Sequence, residues 1–155
     1  MILSTLCYIK KGNKTLFLHR IKKEDDIHDG KWVGLGGKIE AGETPEECVK
    51  REVLEESGLI IETPIMKCFI TFPGFDNGED FYVFLFEASK FSGELLKESP
   101  EGKLKWIRNE KITDLNLWEG DRIFFEWMNR GKHFSGKLAY DNEKLITKDV
   151  IFYDN

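Results

Sequence analysis

The segment from Gly37 to Leu59 constrains the fold of this chain more than any other part of the sequence. Its run Thr44-Pro45-Glu46-Glu47 has the form of a capping box with proline at the first helical position. The threonine oxygen can accept from the third helical amide while the second glutamate reaches back. Gly58 is the residue type best able to adopt the left-handed conformation that ends a helix. The pattern predicts a helix from Pro45 to about Ser57.

Three glutamates share one face of this predicted helix. Glu52, Glu55 and Glu56 occupy positions i, i+3 and i+4, so their carboxylates project within one turn of each other. Like charges at this spacing destabilise an isolated helix by roughly 0.2–0.5 kcal/mol, and no lysine compensates them, so the cluster requires a counter-cation. Mg²⁺ fits because it takes oxygen ligands and keeps waters. A merely solvated charged face is the alternative, and it would require neither the glycines nor Arg51.

Short runs of apolar and β-branched residues predict strands on both sides of this helix. The predicted strands are Ile2–Ile9, Thr15–His19, Met66–Phe72, Phe81–Glu87, Lys103–Arg108, His133–Tyr140 and Leu145–Tyr153, with a loop from Gly74 to Gly78. A second helix is predicted over Asp121–Asn129 from its apolar stripe. This order predicts a single α/β domain over residues 1–155, with mixed β-sheets and both helices packed on sheet faces.

The acidic balance of the chain limits its partners. A formal net charge of -5 and a pI near 5.3 disfavour a nucleic-acid polymer or an acidic membrane as partner. Cys7, Cys48 and Cys68 show no CxxC spacing, which is typical of reduced thiols. No apolar run approaches the length that spans a bilayer. We therefore expect a cytoplasmic protein that binds a small molecule, and the sequence leaves its oligomeric state open.

The segment from Gly37 to Leu59 fills every defined position of the Nudix box. These positions are Gly37, Glu43 and the run Arg51-Glu52-Val53-Leu54-Glu55-Glu56-Ser57-Gly58-Leu59. The chain therefore resembles the Nudix hydrolases, which implies the Nudix fold and cleavage of a diphosphate bond with Mg²⁺, for which Mn²⁺ can substitute. By this resemblance Glu52, Glu55 and Glu56 look like catalytic metal ligands, with Glu52 also the favoured base.

The same resemblance assigns roles to the rest of the box. Arg51 is expected to hold a glutamate in place, while Glu43 and Gly58 are structural. A backbone carbonyl of the Gly36–Gly37 region, assigned to Gly37, is expected to join the metal shell.

Further polar residues outside the box are candidates for the same site. Glu101 is the favoured additional metal ligand, and Glu98 is its rival. Phosphate contacts are expected from basic side chains of the N-terminal half, namely Arg20, Lys22, Lys23 and Lys38. For each of them an ordinary solvated surface position remains the alternative.

Three segments outside the box are similar to segments of the MutT-type oxidised purine nucleoside triphosphate diphosphatases. They are Gly30–Lys38, Ile70–Phe72 and Leu117–Asp121. This resemblance implies that 8-oxo-dGTP or a related purine triphosphate yields monophosphate and pyrophosphate, an activity of nucleotide-pool sanitation and DNA repair. The attacked phosphorus atom stays open.

A purine pocket needs aromatic plates and a polar group that reads the base edge. Phe72 and Trp118 are candidates for stacking and Asp121 for the hydrogen bond. Alternatively, Phe72 and Trp118 are ordinary core residues and Asp121 is the N-cap of the second helix. Val33 stands where the animal enzymes carry a base-reading asparagine, and Gly120 where they carry the first of two aspartates.

Two other functions remain as alternatives. Pro73 lies at roughly the distance past the box where ADP-ribose pyrophosphatases tend to carry a proline, although turns recruit proline in any case. A non-catalytic nucleotide sensor would keep the fold for binding, but such modules usually lose box glutamates, and this chain retains them. An assay for released pyrophosphate or phosphate separates the sensor from the enzymes.

Overall fold

The computed structural model of this chain describes residues 1–22 and 26–153, so the predicted phosphate contact Lys23 lies outside the described residues. The strands and helices follow one another along the chain in this order: β1 (Ile2–Lys11), β2 (Lys14–Arg20), β3 (Trp32–Val33), α1 (Pro45–Ser57), β4 (Leu59–Glu62), β5 (Ile65–Asp76), β6 (Glu79–Ala88), β7 (Lys90–Gly93), β8 (Gly102–Arg108), a 3-10 helix (Asn109–Asp114), α2 (Glu119–Met128), β9 (Phe134–Asp141) and β10 (Lys144–Phe152).

The large sheet mixes parallel and antiparallel pairs. Its strand order is β10-β9-β5-β6-β1-β2-β3, with β8 also paired to β2, while β4 and β7 form a separate two-stranded sheet. β1 runs parallel to β6, and β9 runs parallel to β5. Helix α1 contacts β1 and β4, and α2 contacts β9 and β10. The prediction of a mixed α/β fold with both helices packed on sheets is confirmed.

The glycine-rich segment before α1 pairs with β1 instead of forming a free loop. The Thr5 N–H donates to the Gly37 carbonyl at 2.9 Å, and Cys7 and Leu35 exchange both of their backbone hydrogen bonds. A Cβ atom at Gly36 would collide with the carbonyl group of Thr5. Only glycine therefore allows this close backbone approach, which brings the segment against β1.

Helix α1 has the boundaries and caps that the sequence predicts. The Glu47 N–H donates to Thr44 Oγ1 at 3.0 Å, and the Thr44 N–H donates to Glu47 Oε1 at 3.3 Å. At the other end Gly58 has a φ of 80° and its N–H donates to the Leu54 carbonyl. Val49 and Val53 are fully buried, so one face of the helix packs on the sheet and the next carries the glutamates.

Two expectations about the second half of the chain are wrong in detail. β5 and β6 continue to the pair Asp76 and Glu79, so the predicted loop from Gly74 to Gly78 shrinks to a turn at Asn77-Gly78. Helix α2 begins at Glu119 after Trp118, which makes no side-chain cap hydrogen bond, and Asp121 lies inside the first turn. Asp121 is therefore not an N-cap, and its carboxyl group is free for another role.

The apolar side chains form two buried clusters. One lies around α1 and includes Val49, Val53 and Leu35, and the other lies around α2 and includes Phe124 and Trp127. All three cysteines are buried and unpaired. Among the residues described, no helix is long and apolar enough to cross a bilayer.

We predict that Thr44→Ala destabilises the protein by about 1 kcal/mol, because it removes one of the two hydrogen bonds of the capping box. Urea unfolding followed by circular dichroism measures this loss. Thr147→Ala is the matched control, since Thr147 is exposed on β10. Equal stability of the two variants would contradict a contribution from the cap.

Candidate active site

Arg51 connects the glycine-rich segment to the glutamate face of α1. Its guanidinium makes a two-pronged contact with the Glu43 carboxylate, at 2.7 Å from Nε and 2.9 Å from Nη2. Nη2 also donates to the Lys38 carbonyl at 3.2 Å, while Nη1 donates to Glu52 at 2.8 Å. The hydrogen bonds from Arg51, followed by the one from the Glu40 N–H, lower the pKa of Glu43 to about 2. The arginine thus fixes both the loop and the direction of the Glu52 carboxylate.

Glu56 is the most deeply buried carboxylate of the box. Only 6% of its surface is exposed, and Oε1 accepts a hydrogen bond from the Gly36 N–H at 2.8 Å. Burial raises the pKa of Glu56 to about 8, and the negative charges of Glu101 and Glu52 add to this effect, while the Gly36 amide opposes it. Burial also raises the pKa of Glu52. Two neighbouring carboxyls are therefore costly to ionise without a cation.

Glu101 lies on the same side of the molecule as these glutamates. Its charge raises the pKa of both Glu52 and Glu56, and its carboxylate forms an ion pair with Arg20 Nη1 at 3.1 Å. Its sequence rival Glu98 is instead exposed and pairs with Lys22 at 2.7 Å. The structure therefore brings Glu101, and not Glu98, to the box.

The oxygen groups fit a hard divalent cation by their chemistry. Across residues 1–22 and 26–153, no three carboxylate, thiol or imidazole groups already converge as metal ligands. Arg51 Nη1 instead lies 2.8 Å from Glu52 and 3.5 Å from the more exposed Glu55. A cation at this face would compensate the buried carboxylates, and it would compete with Arg51 for Glu52.

The Gly37 carbonyl, which the sequence assigns to the metal shell, is hydrogen-bonded to β1 in this structure. This oxygen accepts from the Thr5 N–H at 2.9 Å and from Thr5 Oγ1 at 3.3 Å, so it is directed toward β1. Gly37 itself lies against Glu52, and a Cβ atom there would be 2.5 Å from the carboxylate carbon. The Gly36 carbonyl accepts no hydrogen bond from the part of the chain that the structure describes.

A cavity of about 260 Å³ opens beside this face. Gly36 and Glu56 line its end nearest α1, and four residues predicted to bind the base or to stack on it also line it: Val33, Phe72, Trp118 and Asp121. Arg20 and Lys38 line it as well, whereas Lys22 does not. One cavity therefore joins the candidate base pocket to Glu56.

Aromatic rings form part of the wall of the cavity. The Trp118 ring meets Phe75 edge to face at 5.3 Å and Tyr140 at 5.4 Å, while Phe72 lies 5.5 Å from Phe75. Phe72 and Trp118 are thus both core side chains and lining residues, so the two interpretations of them are compatible. Phe75 and Tyr140 were missed by sequence reasoning. Tyr140 comes from β9, which is distant in sequence, although the aromatic enrichment around Phe72 was visible.

Asp121 presents an unpartnered carboxyl group to this cavity. Only 8% of the residue is exposed, and its carboxyl makes no hydrogen bond with any described residue. Burial raises its pKa from 3.8 to about 7, against the opposing charges of Lys31 and Arg122. Near neutral pH the group exists in both protonation states and can either donate or accept a hydrogen bond.

His28 is a second polar residue of the cavity that sequence reasoning missed. Its Nδ1 accepts a hydrogen bond from Trp118 Nε1 at 2.8 Å. Burial lowers its pKa to about 4, with a smaller contribution from Arg20. No local motif surrounds His28, so only the fold reveals that it meets Trp118.

Comparison with known proteins places the chain among characterised sequences and structures. A family model described as the NUDIX domain matches residues 2–128. An oxidized purine nucleoside triphosphate hydrolase of Danio rerio is 35% identical over 119 residues, which are 77% of this chain and 76% of that protein. An ADP-ribose pyrophosphatase of Methanocaldococcus jannaschii is 31% identical over 147 residues, or 95% of this chain and 71% of that protein. The crystal structure of a MutT protein from Bacillus halodurans covers 97% of each chain with a TM-score of 0.85 and 31% identity.

We predict that the stabilising contribution of Asp121 is lost as the pH rises from about 4 to 7. Its folded pKa lies above the unfolded value, so in this window the unfolded chain releases a proton that the folded protein retains. Asp121→Asn cannot titrate. The stability of the wild type relative to this variant should therefore fall by about 1–3 kcal/mol between pH 4.5 and 7.5.

Urea unfolding at the two pH values measures the difference. Asp149→Asn, on the exposed part of β10, serves as the control and should show no such change. A relative stability of Asp121→Asn that is independent of pH would contradict the raised pKa.

Proposed function

Because this chain belongs to the Nudix family and is a Nudix hydrolase, we propose that it converts oxidised purine nucleoside triphosphates such as 8-oxo-dGTP to monophosphate and pyrophosphate. One observation carries this proposal: a single aromatic cavity with an unpartnered carboxyl group extends to Glu56, the buried glutamate of the box. A purine fits between aromatic walls, and its phosphates would then extend toward α1.

The glutamates of α1 and their neighbours are the residues that would hold a divalent cation. Nudix hydrolases generally use such ions, and we propose Mg²⁺ here, with Mn²⁺ as substitute. Glu52, Glu55, Glu56 and Glu101 supply carboxylate oxygens. We assign the carbonyl ligand to Gly36, because its N–H already contacts Glu56 and its oxygen is free of described donors, whereas the Gly37 oxygen is occupied. When bound, the cation neutralises phosphate charge and lowers the pKa of water.

The chain's own residues would position the reactants. Glu52 is the proposed base, since Arg51 fixes its direction at 2.8 Å and its half-buried carboxyl has a raised pKa, which favours accepting a proton from water. Arg20 and Lys38 line the cavity and are the proposed phosphate contacts. Arg20 already binds the Glu101 carboxylate, so it would hold this ligand and the phosphates close together.

The base would lie between Phe72 and Trp118, with Asp121 on its polar edge. The unpartnered Asp121 carboxyl gains a hydrogen bond from a base, and it has none without one. Val33 lines the cavity with an apolar surface, so it supplies no hydrogen bond that would select one purine.

Hydrolysis of ADP-ribose is a second candidate function. It is favoured by the relative from Methanocaldococcus jannaschii, which bears that name and matches nearly the whole of this chain. The cavity of about 260 Å³ lies below the usual range for drug-sized ligands, so it suits one base with the phosphates outside.

A substrate panel distinguishes these activities. The panel compares 8-oxo-dGTP, the normal deoxynucleoside triphosphates, ADP-ribose and dinucleoside polyphosphates by kcat/KM in the presence of Mg²⁺. We expect the highest value for an oxidised purine triphosphate. An advantage of ADP-ribose of more than about tenfold would overturn this assignment. Failure to turn over any nucleotide would favour a sensor. Hydrolysis in ¹⁸O-labelled water identifies the attacked phosphorus atom.

We predict that Glu56→Gln lowers kcat/KM by at least about 100-fold, because it removes a charged metal ligand from a buried site. The fold should survive, since glutamine can still accept from the Gly36 amide. Titration with Mn²⁺ followed by electron paramagnetic resonance should show weaker binding. Glu46→Gln, an exposed position on the same helix, is the matched control. Unchanged turnover in Glu56→Gln would disprove the metal assignment.

A further inference from the structure

The imidazole of His28 is held in one tautomer by Trp118. An indole N–H can only donate, so the contact of 2.8 Å between Trp118 Nε1 and His28 Nδ1 requires that Nδ1 carries no proton. In the neutral ring the proton then resides on Nε2. The structure thus fixes the direction of the remaining polar atom of a side chain that lines the base cavity.

The ring also remains neutral. Burial lowers the pKa of His28 to about 4, and Arg20 and Lys31 act in the same direction against Asp26 and Asp76. At neutral pH the Nε2–H group is therefore an uncharged donor that cannot become an acceptor. Nε2 makes no hydrogen bond to any residue that the structure describes, and His28 is half-buried. An unused donor is thus available in the cavity.

Donors are scarce among the other polar side chains that line the pocket. Asp76 and Asp121 present carboxyl groups, and the apolar side chain of Val33 has no hydrogen-bond donor. The Tyr140 hydroxyl accepts from the Gly120 N–H at 2.6 Å and retains one proton of its own. The Ser4 and Thr5 hydroxyls also line the cavity, but these residues belong to the part of β1 that pairs with Lys38 and Gly37. Among the polar side chains that contact the Trp118 ring, His28 and Tyr140 are the neutral ones with a proton to donate. Of these, only His28 has its donor direction fixed by a partner.

A base with a carbonyl group beside N–H groups complements this arrangement. On the edge of a 6-oxopurine, the oxygen at C6 accepts a hydrogen bond while the adjacent N1–H donates one. A 6-aminopurine presents an N–H donor at C6, which would face the Nε2–H group without a partner. Sites built to pair with one such group discriminate strongly against its replacement.

We propose that His28 is a specificity-determining residue of this cavity: its Nε2–H donates to the C6 carbonyl of an oxopurine, while Asp121 accepts from the neighbouring N–H groups. The enzyme therefore favours 6-oxopurine over 6-aminopurine nucleoside triphosphates. This inference rests on the proposed function as a purine nucleoside triphosphatase. It assigns to His28 the donor that Val33 does not supply.

The test uses two substrate pairs that differ at position 6, dITP against dATP and 8-oxo-dITP against 8-oxo-dATP. His28→Phe removes the donor and keeps a planar ring. It should lower kcat/KM for the 6-oxo member of each pair by about tenfold or more, chiefly through KM, and change the 6-amino member by less than about twofold. His28→Gln restores an N–H donor and should recover most of the preference.

Two control variants accompany the test. His19→Phe changes a second histidine, which stacks on Trp32 at 4.2 Å and does not line the cavity. In this variant the ratio of kcat/KM between the two members of each pair should stay as in the wild type. Tyr140→Phe removes the rival donor. If Tyr140→Phe abolishes the preference and His28→Phe preserves it, the assignment to His28 is overturned.

A measurement on the wild-type protein covers the case in which His28→Phe does not fold. Imidazole ¹⁵N shifts in nuclear magnetic resonance spectra should show the neutral Nε2–H tautomer of His28 from pH 6 to 8. A protonated Nδ1 would overturn the inference. If the wild type hydrolyses no purine triphosphate, the proposed function fails and the inference fails with it. If the wild type is active but His28→Phe changes both members of each pair equally, the inference alone fails.

Discussion

The contacts of Arg51 are the interaction on which the rest of the site depends. One guanidinium binds a glutamate of the loop on one side and a glutamate of α1 on the other, and it also donates to a backbone carbonyl between them. Its planar fork suits two carboxylates at once, which the point charge of a lysine does not. Without the Arg51 guanidinium, the like charges along α1 would repel one another. The loop that carries Glu43 would also lose its attachment to the helix. Catalytic geometry and local stability therefore share one side chain.

Two buried carboxyl groups define the two ends of the cavity, and each is incomplete in a different way. Glu56 has an amide donor but is surrounded by other carboxylates, so what it lacks is positive charge. Asp121 lies among aromatic rings with no donor, so what it lacks is a hydrogen-bonding partner. A metal ion would satisfy the first and a base the second. A polyphosphate nucleotide brings both requirements together in one ligand, because its phosphates bind cations and its base carries N–H groups.

The sequence predicted features that arise from neighbouring residues and missed those that arise from the fold. The caps of α1 and its glutamate face follow from spacing within one helix, so both could be derived before any coordinates existed. The direction of the Gly37 carbonyl depends on pairing with β1, and the start of α2 at Glu119 depends on the preceding loop. His28 reaches Trp118 across 90 positions of sequence. Contacts of this kind leave no local pattern, because each partner looks ordinary in its own segment.

Tyr140 belongs to the hairpin of β9 and β10, which lies beyond residues 2–128, the part of the chain that the family model matches. This hairpin extends the main sheet beside β5 and brings a phenol ring to the aromatic wall, whereas the glutamates and Arg51 lie on α1. The hairpin thus contributes part of the pocket wall from a stretch of the chain that is separate from α1. Substitutions in the C-terminal hairpin, or its replacement, would reshape this wall without changing the glutamates and Arg51 on α1. Related enzymes could in this way acquire different substrate ranges.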